Sequence, residues 1–170
     1  MSNKNAVYYC EGEDELKLIE ALQTAPNLIL PGKPKKINVI QNLIPKSILL
    51  GIKPGTTITL VFDTDVVSNM NTIRKNIENI NKYCKGISIV CLLQVENLED
   101  ELVRSTDVKS VLELTKSKSV SEFKAAFRKL KREDCRRMLE RHKLKPENLW
   151  ITPAPKEFDF IKRNVDKIRV

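Results

Sequence analysis

Histidine and metal-binding cysteine pairs are scarce in this sequence. Its 170 residues include one histidine, His142, and four cysteines, none of them in a CxxC pair. This shortage leaves little basis for a structural zinc site. A serine triad, a papain-like pair or a His-rich metal site would all depend on His142, which lies in a basic run. Any chemistry must therefore come from carboxylates, lysines or a metal ion bound by carboxylates.

Long apolar runs and aromatic residues are also few. Aromatics make up 5% of the chain, so we expect a core built mainly from Ile, Leu and Val. No apolar run approaches the roughly 18 residues that span a bilayer, and residues 1–9 lack the long apolar stretch of a secretory signal. The sequence predicts a cytoplasmic protein with no membrane partner. Cys10 and Cys91 lie in strand-like runs, where we expect buried, reduced thiols.

The net positive charge is confined to one part of the chain. Residues 103–145 contain 14 Lys and Arg against 6 Asp and Glu, which accounts for the entire net charge of +8. Such polarised charge favours a polyanionic partner, nucleic acid before a membrane surface. A solvated, lysine-rich helix is the alternative interpretation. Lys124, Arg128 and Lys131 recur at helical spacing and should form one face of a helix. Arg132 and Arg136 extend this face, and all five are candidates for binding phosphates.

Strand-like and helix-like segments alternate along the sequence. Apolar, β-branched runs predict strands over residues 7–10, 37–40, 57–62, 87–93 and 149–151. Helical spacing and capping signals predict helices over residues 14–23, 45–50, 71–83, 105–115, 119–142 (broken near 133–134) and 157–167. This alternation predicts an α/β fold with a mostly parallel, Rossmann-like sheet flanked by helices.

We expect the whole chain to form one domain. Residues 1–102 are predicted to form its α/β core, and residues 103–145 a basic helical extension. The last strand and the terminal helix, within residues 146–170, should pack on the same domain.

Acidic residues follow three of the predicted strands. Glu11 ends the first strand, Asp63 and Asp65 end the third, and a late acidic group follows the fourth. Carboxyl ends of parallel strands meet at one edge of a sheet, and acids gathered there repel one another unless a cation lies among them. Oxygen ligands of this kind suit Mg²⁺, Mn²⁺ or Ca²⁺. The late acidic group consists of Glu96, Glu99 and Asp100.

The spacing of the Asp-x-Asp pair has a geometric reason. Residues i and i+2 leaving a strand point the same way, so Asp63 and Asp65 can face one metal ion. If Asp63 and Asp65 share a metal ion with Glu11, the first and third strands must be neighbours in the sheet. This requirement predicts the strand order 2-1-3-4. At each position an exposed helix cap or a solvated turn is the alternative, and we favour that alternative for Glu13 and Asp14.

Two of these segments resemble motifs of the Toprim domain. Residues 8–15, YYCEGEDE, are similar to its first motif, a strand that ends in glutamate followed by glycine. Residues 61–65, VFDTD, are similar to its Asp-x-Asp motif, and the separation of about fifty residues fits. The resemblance covers residues 5–100. Toprim domains occur in topoisomerases, bacterial primases, small RNA-maturation nucleases, and OLD-family and RloB-like nucleases.

The likeness is closest to the OLD-like and RloB-like nucleases. Glu15 resembles the extra acid with which OLD-type nucleases bind a second metal, and the late acidic group resembles their late motif. Topoisomerases and primases usually carry a glycine soon after the Asp-x-Asp motif, whereas residues 66–69 read VVSN. The OLD ATPase domain is absent from these 170 residues, so the resemblance implies a stand-alone Toprim protein or a subunit that works with an ATPase partner or as a homo-oligomer.

The resemblance implies a nuclease that uses Mg²⁺ or Mn²⁺. Glu11 would bind one metal or act as general base, and Asp63 and Asp65 would bind another, with Glu15 and a late acid completing the shells. Such nucleases commonly use a lysine, for which Lys156 is the candidate. By analogy with relatives of this type, the setting would be prokaryotic anti-phage defence.

Two other interpretations of the sequence stay open. One is a non-catalytic Toprim-like module that binds nucleic acid or a partner protein through a decayed site. The other is a receiver-like phosphotransfer domain, which also places acids at strand ends. The receiver interpretation fits poorly. In such domains the phosphoacceptor is an aspartate after the third strand, whereas Glu11 is a glutamate after the first strand.

Overall fold

The computed structural model describes residues 5–65 and 70–170. Residues 66–69, where the sequence departs from topoisomerases and primases, lie outside the described residues. The strands are β1 (Ala6–Cys10), β2 (Gly32–Lys36), β3 (Thr57–Asp63) and β4 (Ser88–Gln94). The helices are α1 (Glu13–Leu22), α2 (Lys46–Leu50), α3 (Met70–Tyr83), α4 (Leu98–Ser105), α5 (Leu112–Thr115), α6 (Val120–Lys129) and α7 (Arg132–Arg141). Short 3-10 turns span Pro146–Asn148, Lys156–Phe158 and Val165–Ile168.

The four strands form one parallel sheet in the order β2-β1-β3-β4. This order and the α/β class confirm the predicted fold. Cys10 is in register with Val61, and Asp63 with Gln94. The carboxyl ends of β1, β3 and β4 therefore share one edge of the sheet, and the predicted acidic residues lie at or just after these strand ends.

Helices cover both faces of the sheet. Side chains alternate along each strand, so Tyr8 and Val61 pack on one face with Phe123 and Phe127 of α6. Tyr9, Leu60 and Phe62 project to the other face, where α2 and α3 pack. All four cysteines are buried and free, as expected for Cys10 and Cys91.

The second strand lies earlier in the chain than predicted. The prediction of a strand over residues 37–40 was wrong, because β2 occupies Gly32–Lys36 and contains Pro34. An edge strand tolerates proline because one side of its backbone has no neighbouring strand. A Cβ on Gly32 would lie 2.0 Å from the carbonyl oxygen of Ala6, so only glycine allows this close pairing. Val39 and Ile40 are apolar because they are buried in the core beneath α3.

The helices after β4 also differ from the prediction over residues 105–115. The acidic segment itself begins helix α4, capped by Asn97 Oδ1, which accepts a hydrogen bond from the Asp100 amide at 3.0 Å. The predicted Ser119 cap is confirmed, since its hydroxyl accepts from the Glu122 amide at 3.2 Å. The break in the basic region falls at Leu130 and Lys131, earlier than predicted, where both residues adopt extended backbone conformations.

The carboxyl-terminal segment is neither the predicted strand nor the predicted helix. Trp150 is buried with a φ of 62°, which is incompatible with a strand over residues 149–151. The predicted helix over 157–167 is replaced by two 3-10 turns. Arg163 accounts for the difference, because its carbonyl accepts from the Cys91 amide at 2.9 Å and so holds this segment along the outer edge of β4.

None of the helices within residues 5–65 and 70–170 has both the length and the apolar character that a bilayer crossing requires.

Candidate metal centre at the carboxyl edge of the sheet

Glu11 links the ends of β1 and β3. Its amide donates to the Val61 carbonyl at 3.0 Å, and its Oε2 accepts from the Asp63 amide at 2.8 Å. Its Oε1 accepts from Asn38 Nδ2 at 3.3 Å. Burial raises the pKa of Glu11 most strongly, the negative charge of Asp65 adds to this, and the two donors oppose it. Glu11 is therefore a half-buried carboxylate held in a fixed orientation beside Asp63.

Asp63 is the most perturbed carboxylate of the edge. Its Oδ1 is buried and has no hydrogen-bond partner among the described residues. Burial raises the pKa of Asp63 to about 9, and the charges of four further carboxylates contribute to that rise. Those four are Glu15, Glu11, Asp65 and Glu99. A carboxylate in this position binds either a proton or a cation, because its own charge is poorly compensated by the protein.

Glu15 reaches the same group of acids from the first turn of α1. The residue is 6% exposed, and its pKa is raised by burial and by the charges of Asp14 and Glu11. Backbone amides, including that of Gly12, oppose this rise. A Cβ on Gly12 would lie 2.8 Å from Glu15 Oε2, so the glycine of the predicted motif makes room for this carboxylate.

Basic side chains from α6 and β2 surround the acidic edge. Lys124 Nζ lies 2.8 Å from Glu99 Oε1, and this hydrogen bond, together with the negative charges of Glu99 and neighbouring acids, raises the pKa of Lys124 against the opposing effect of burial. Arg128 forms two hydrogen bonds to the carboxylate of Asp14, at 2.7 and 2.8 Å. Asp14 is therefore buried and paired with Arg128 rather than an exposed cap or a solvated turn, whereas Glu13 is exposed and lies 3.2 Å from Lys36.

The remaining predicted ligands lie farther out. Asp65 is exposed, and its amide donates to the Glu96 carbonyl at 3.1 Å. Glu96 is exposed with a φ of 64°, and its backbone rather than its side chain contacts Thr64 at the end of β3. Asp100 lines a shallow cavity beside α4 with Asn97 and Lys109. Of the late acids, Glu99 is the one whose negative charge contributes to the raised pKa of Asp63.

The other predicted basic residues are spread over α7 and the carboxyl-terminal segment. Lys131 and Arg132 are exposed at the start of α7, and Arg132 lies 4.0 Å from Glu133. Arg136 donates to Thr24 Oγ1 at 2.9 Å and pairs with Glu140. Lys156 is exposed on a turn whose Phe158 packs on Phe62, on the face of the sheet opposite Asp63. A catalytic role for Lys156 stays a prediction that this placement does not support.

Asn38 is a site residue that the sequence did not reveal. Its Oδ1 accepts from the amides of Ile40 and Gln41, which fixes the side chain so that Nδ2 faces Glu11. Asn38 lay inside a segment interpreted as a strand, and no spacing in the sequence pointed to it. The sequence predicted Lys124 only as one of the basic residues on a helix face, from its spacing to Arg128. It did not predict the contact of Lys124 with Glu99.

The donor set fits a hard divalent cation in its chemistry. Within the described ranges, no three Asp, Glu, Cys or His side chains enclose a metal position as they stand. Both oxygens of Glu11 accept hydrogen bonds, and carboxylates without a cation repel one another. The buried, unpartnered Oδ1 of Asp63, with Glu11 and Glu15 near it, is the kind of oxygen donor that Mg²⁺ and Mn²⁺ take.

Comparison with protein-family models, curated proteins and solved structures finds no match for this chain. The Toprim resemblance therefore stays a prediction. The parallel sheet and its strand order are compatible with it.

Proposed function

We propose that this protein is a Toprim-like nuclease that hydrolyses phosphodiester bonds of nucleic acid with Mg²⁺ or Mn²⁺. One observation supports this function above the others: Asp63 Oδ1 is buried without a partner in the described structure, among carboxylates that raise its pKa to about 9. Such an arrangement disfavours the ionised acid unless a cation compensates it. Carboxylates gathered in this way repel one another and lower the stability of the metal-free fold. The same carboxylates are suited to hold a metal ion for hydrolysis.

The chain's own residues would divide the work as follows. A divalent ion held there would supply positive charge against the scissile phosphate and activate a water for attack. Asp63, Glu11 and Glu15 would hold it, with Asp65 and Glu99 at the outer side. Asn38 and the Asp63 amide keep Glu11 oriented. Lys124, rather than Lys156, places an ammonium group beside the acids, where it can stabilise a developing negative charge.

Nucleic acid is the substrate class that the charge distribution favours. The segment that carries the net charge of +8 includes α6 and α7, and Lys124 and Arg128 of α6 contact acids at the edge of the sheet. A phosphate backbone bound along these helices would lie next to the carboxylates. The same proposal locates the protein in the cytoplasm and gives it a role in anti-phage defence. It would act there with an ATPase or with a second copy of itself as partner.

A non-catalytic binding module is the second candidate. Lys124 and Arg128 already neutralise Glu99 and Asp14, and in the described ranges no three acids enclose a metal position. These two observations favour a protein whose basic helices bind nucleic acid while its acidic edge only anchors them.

Cleavage assays with a matched control separate the two functions. Plasmid, single-stranded DNA and tRNA would each be incubated with the purified protein and Mg²⁺ or Mn²⁺, followed by gel analysis. We expect metal-dependent cleavage of at least one substrate, abolished by Glu11→Gln or Asp63→Asn. Glu78→Gln, which removes an exposed acid from α3 on the other face of the sheet, should cleave like the unaltered protein. Equal cleavage by all variants, or none with any metal, would leave the binding module as the function.

A further inference from the structure

Gln94 is a fully buried polar residue at the edge that carries the acids. It ends β4, directly in register with Asp63 at the end of β3. The residue is 0% exposed, and neither its Oε1 nor its Nε2 has a hydrogen-bond partner within the described residues. A primary amide buried without partners costs folding free energy that a leucine of similar size would not. Packing alone therefore does not explain a glutamine here.

The unpartnered groups of Gln94 and Asp63 lie on the same face of the sheet. Residues in register on adjacent strands project to the same side, and the pair two positions earlier, Val61 and Leu92, is buried in a single core cluster. Asp63 Oδ1 is buried and unpartnered as well. Two neighbouring strands thus end in polar side chains that face the same space without satisfying each other or being satisfied by the described structure.

We infer that Gln94 is a further ligand of the metal centre and supplies a carboxamide oxygen beside Asp63. The inference rests on the proposed function, since it concerns the same metal. Glutamine carbonyl oxygens are accepted by hard divalent cations. A neutral oxygen adds a ligand without adding to the repulsion among the carboxylates near Asp63. Gln94 thereby explains how an edge so rich in negative charge extends its set of oxygen donors.

Direct Mn²⁺ binding, read from the EPR signal of free Mn²⁺, tests the assignment without relying on activity. Gln94→Leu should weaken Mn²⁺ binding by about tenfold or more and leave the metal-free melting temperature unchanged or higher. Gln94→Glu keeps an oxygen at this position and should bind Mn²⁺ at least as tightly as the unaltered protein. Thr59→Val is the matched control, because Thr59 is also buried with an unpartnered hydroxyl on β3 but lies four residues before Asp63.

The outcomes separate this inference from the function on which it rests. If Gln94→Leu and Thr59→Val both bind Mn²⁺ like the unaltered protein, Gln94 is not a ligand, although the metal centre stands. If Gln94→Glu binds Mn²⁺ as weakly as Gln94→Leu, the side chain of Gln94 acts through its N–H groups as a hydrogen-bond donor, and the assignment of its oxygen as a metal ligand is overturned. If the unaltered protein takes up no Mn²⁺ and Asp63→Asn does not differ from it, the metal centre and this inference fail together.

Discussion

At the scale of single residues, Asp63 shows how the fold produces chemistry from an ordinary side chain. The residue ends a strand whose first six residues are all buried, so its carboxyl group lies at the boundary between core and solvent. Burial and four neighbouring carboxylates raise its pKa to about 9. Near neutral pH the metal-free protein therefore keeps a proton on Asp63, and a divalent cation has to displace that proton to bind.

Replacement of Asp63 by asparagine should separate metal binding from stability. Asparagine resembles the protonated acid but takes up no proton on folding, so we expect a metal-free melting temperature above that of the unaltered protein at pH 7, with a larger difference at pH 9. The variant should also lose the rise in melting temperature that we expect Mn²⁺ to cause in the unaltered protein, since a ligand stabilises the folded state more the more tightly it binds it. Differential scanning fluorimetry at both pH values measures this. A lower metal-free melting temperature at pH 9 would contradict it.

The raised pKa values of Asp63, Glu11 and Glu15 also set a pH dependence of stability. Between about pH 4 and pH 9 the folded chain holds a proton on Asp63 that the unfolded chain has released, and the raised pKa values of Glu11 and Glu15 act in the same direction. The free energy of unfolding without metal should therefore fall as pH rises through this range. Urea denaturation at pH 5, 6.5 and 8 checks the slope, which should be shallower in Asp63→Asn and unchanged in Glu78→Gln. Equal slopes in all three proteins would show that Asp63 titrates normally.

At the scale of elements, α6 forms one wall of the acidic edge. Arg128 anchors it to Asp14 of α1, Lys124 anchors it to Glu99 of α4, and Lys17 of α1 donates to the carbonyl of Leu130 at its carboxyl end at 2.7 Å. Phe123 and Phe127 fix the opposite side of the helix in the core. The ion pairs at the sheet edge thus position a basic helix beside the carboxylates.

A double-mutant cycle measures how much the Arg128 and Asp14 pair contributes to this arrangement. Asp14 is nearly buried and accepts two hydrogen bonds from the guanidinium, so we expect a coupling energy of about 1 kcal/mol in urea unfolding. Arg132 and Glu133, an exposed pair at 4.0 Å, provide the control and should couple by less than about 0.5 kcal/mol. Indistinguishable couplings would mean that the Arg128 and Asp14 pair does not help to hold α6 in place.

The elements that the sequence predicted well are those whose pattern is local. β1, β3 and β4 are buried on both faces and appear as continuous apolar runs, and the acids that end them follow directly. β2 was misplaced because Pro34 and its lysines do not resemble a strand until the edge position is known. Asn38 and Gln94 carried no signal, because their significance comes from neighbours that are distant in sequence or lie across the sheet. The carboxyl-terminal segment follows β4 through tertiary contacts of Arg163, which local propensity does not contain.

At the scale of the whole molecule, opposite charges are arranged side by side. The sheet edge gathers carboxylates, and the helical region that follows in the chain carries the net positive charge. Lys124 and Arg128 lie at the boundary between the two and are paired with acids. Lys131 and Arg132 are exposed beyond that boundary. A nucleic acid bound by the exposed residues would be directed toward the edge.

Charge reversal at Lys131 and Arg132 tests this arrangement. The double variant should bind nucleic acid more weakly, and the slope of log affinity against log salt should become shallower by about 0.7 to 0.9 for each phosphate that the protein no longer neutralises. Lys82→Glu with Lys85→Glu makes the same change of net charge at exposed residues at and beyond the end of α3 and should keep the original slope. Fluorescence anisotropy across a salt series measures both. Equal slopes for the two variants would place the nucleic acid elsewhere.

The most direct test of the proposed metal centre is the location of the metal itself. Crystals of the protein grown or soaked with Mn²⁺ would be measured at a wavelength where manganese scatters anomalously. We predict an anomalous peak at the carboxyl edge of the sheet, in contact with the carboxylates of Glu11 and Asp63, and its loss in crystals of Asp63→Asn. A Mn²⁺ peak confined to other acids, or the same peak in Asp63→Asn, would contradict the account.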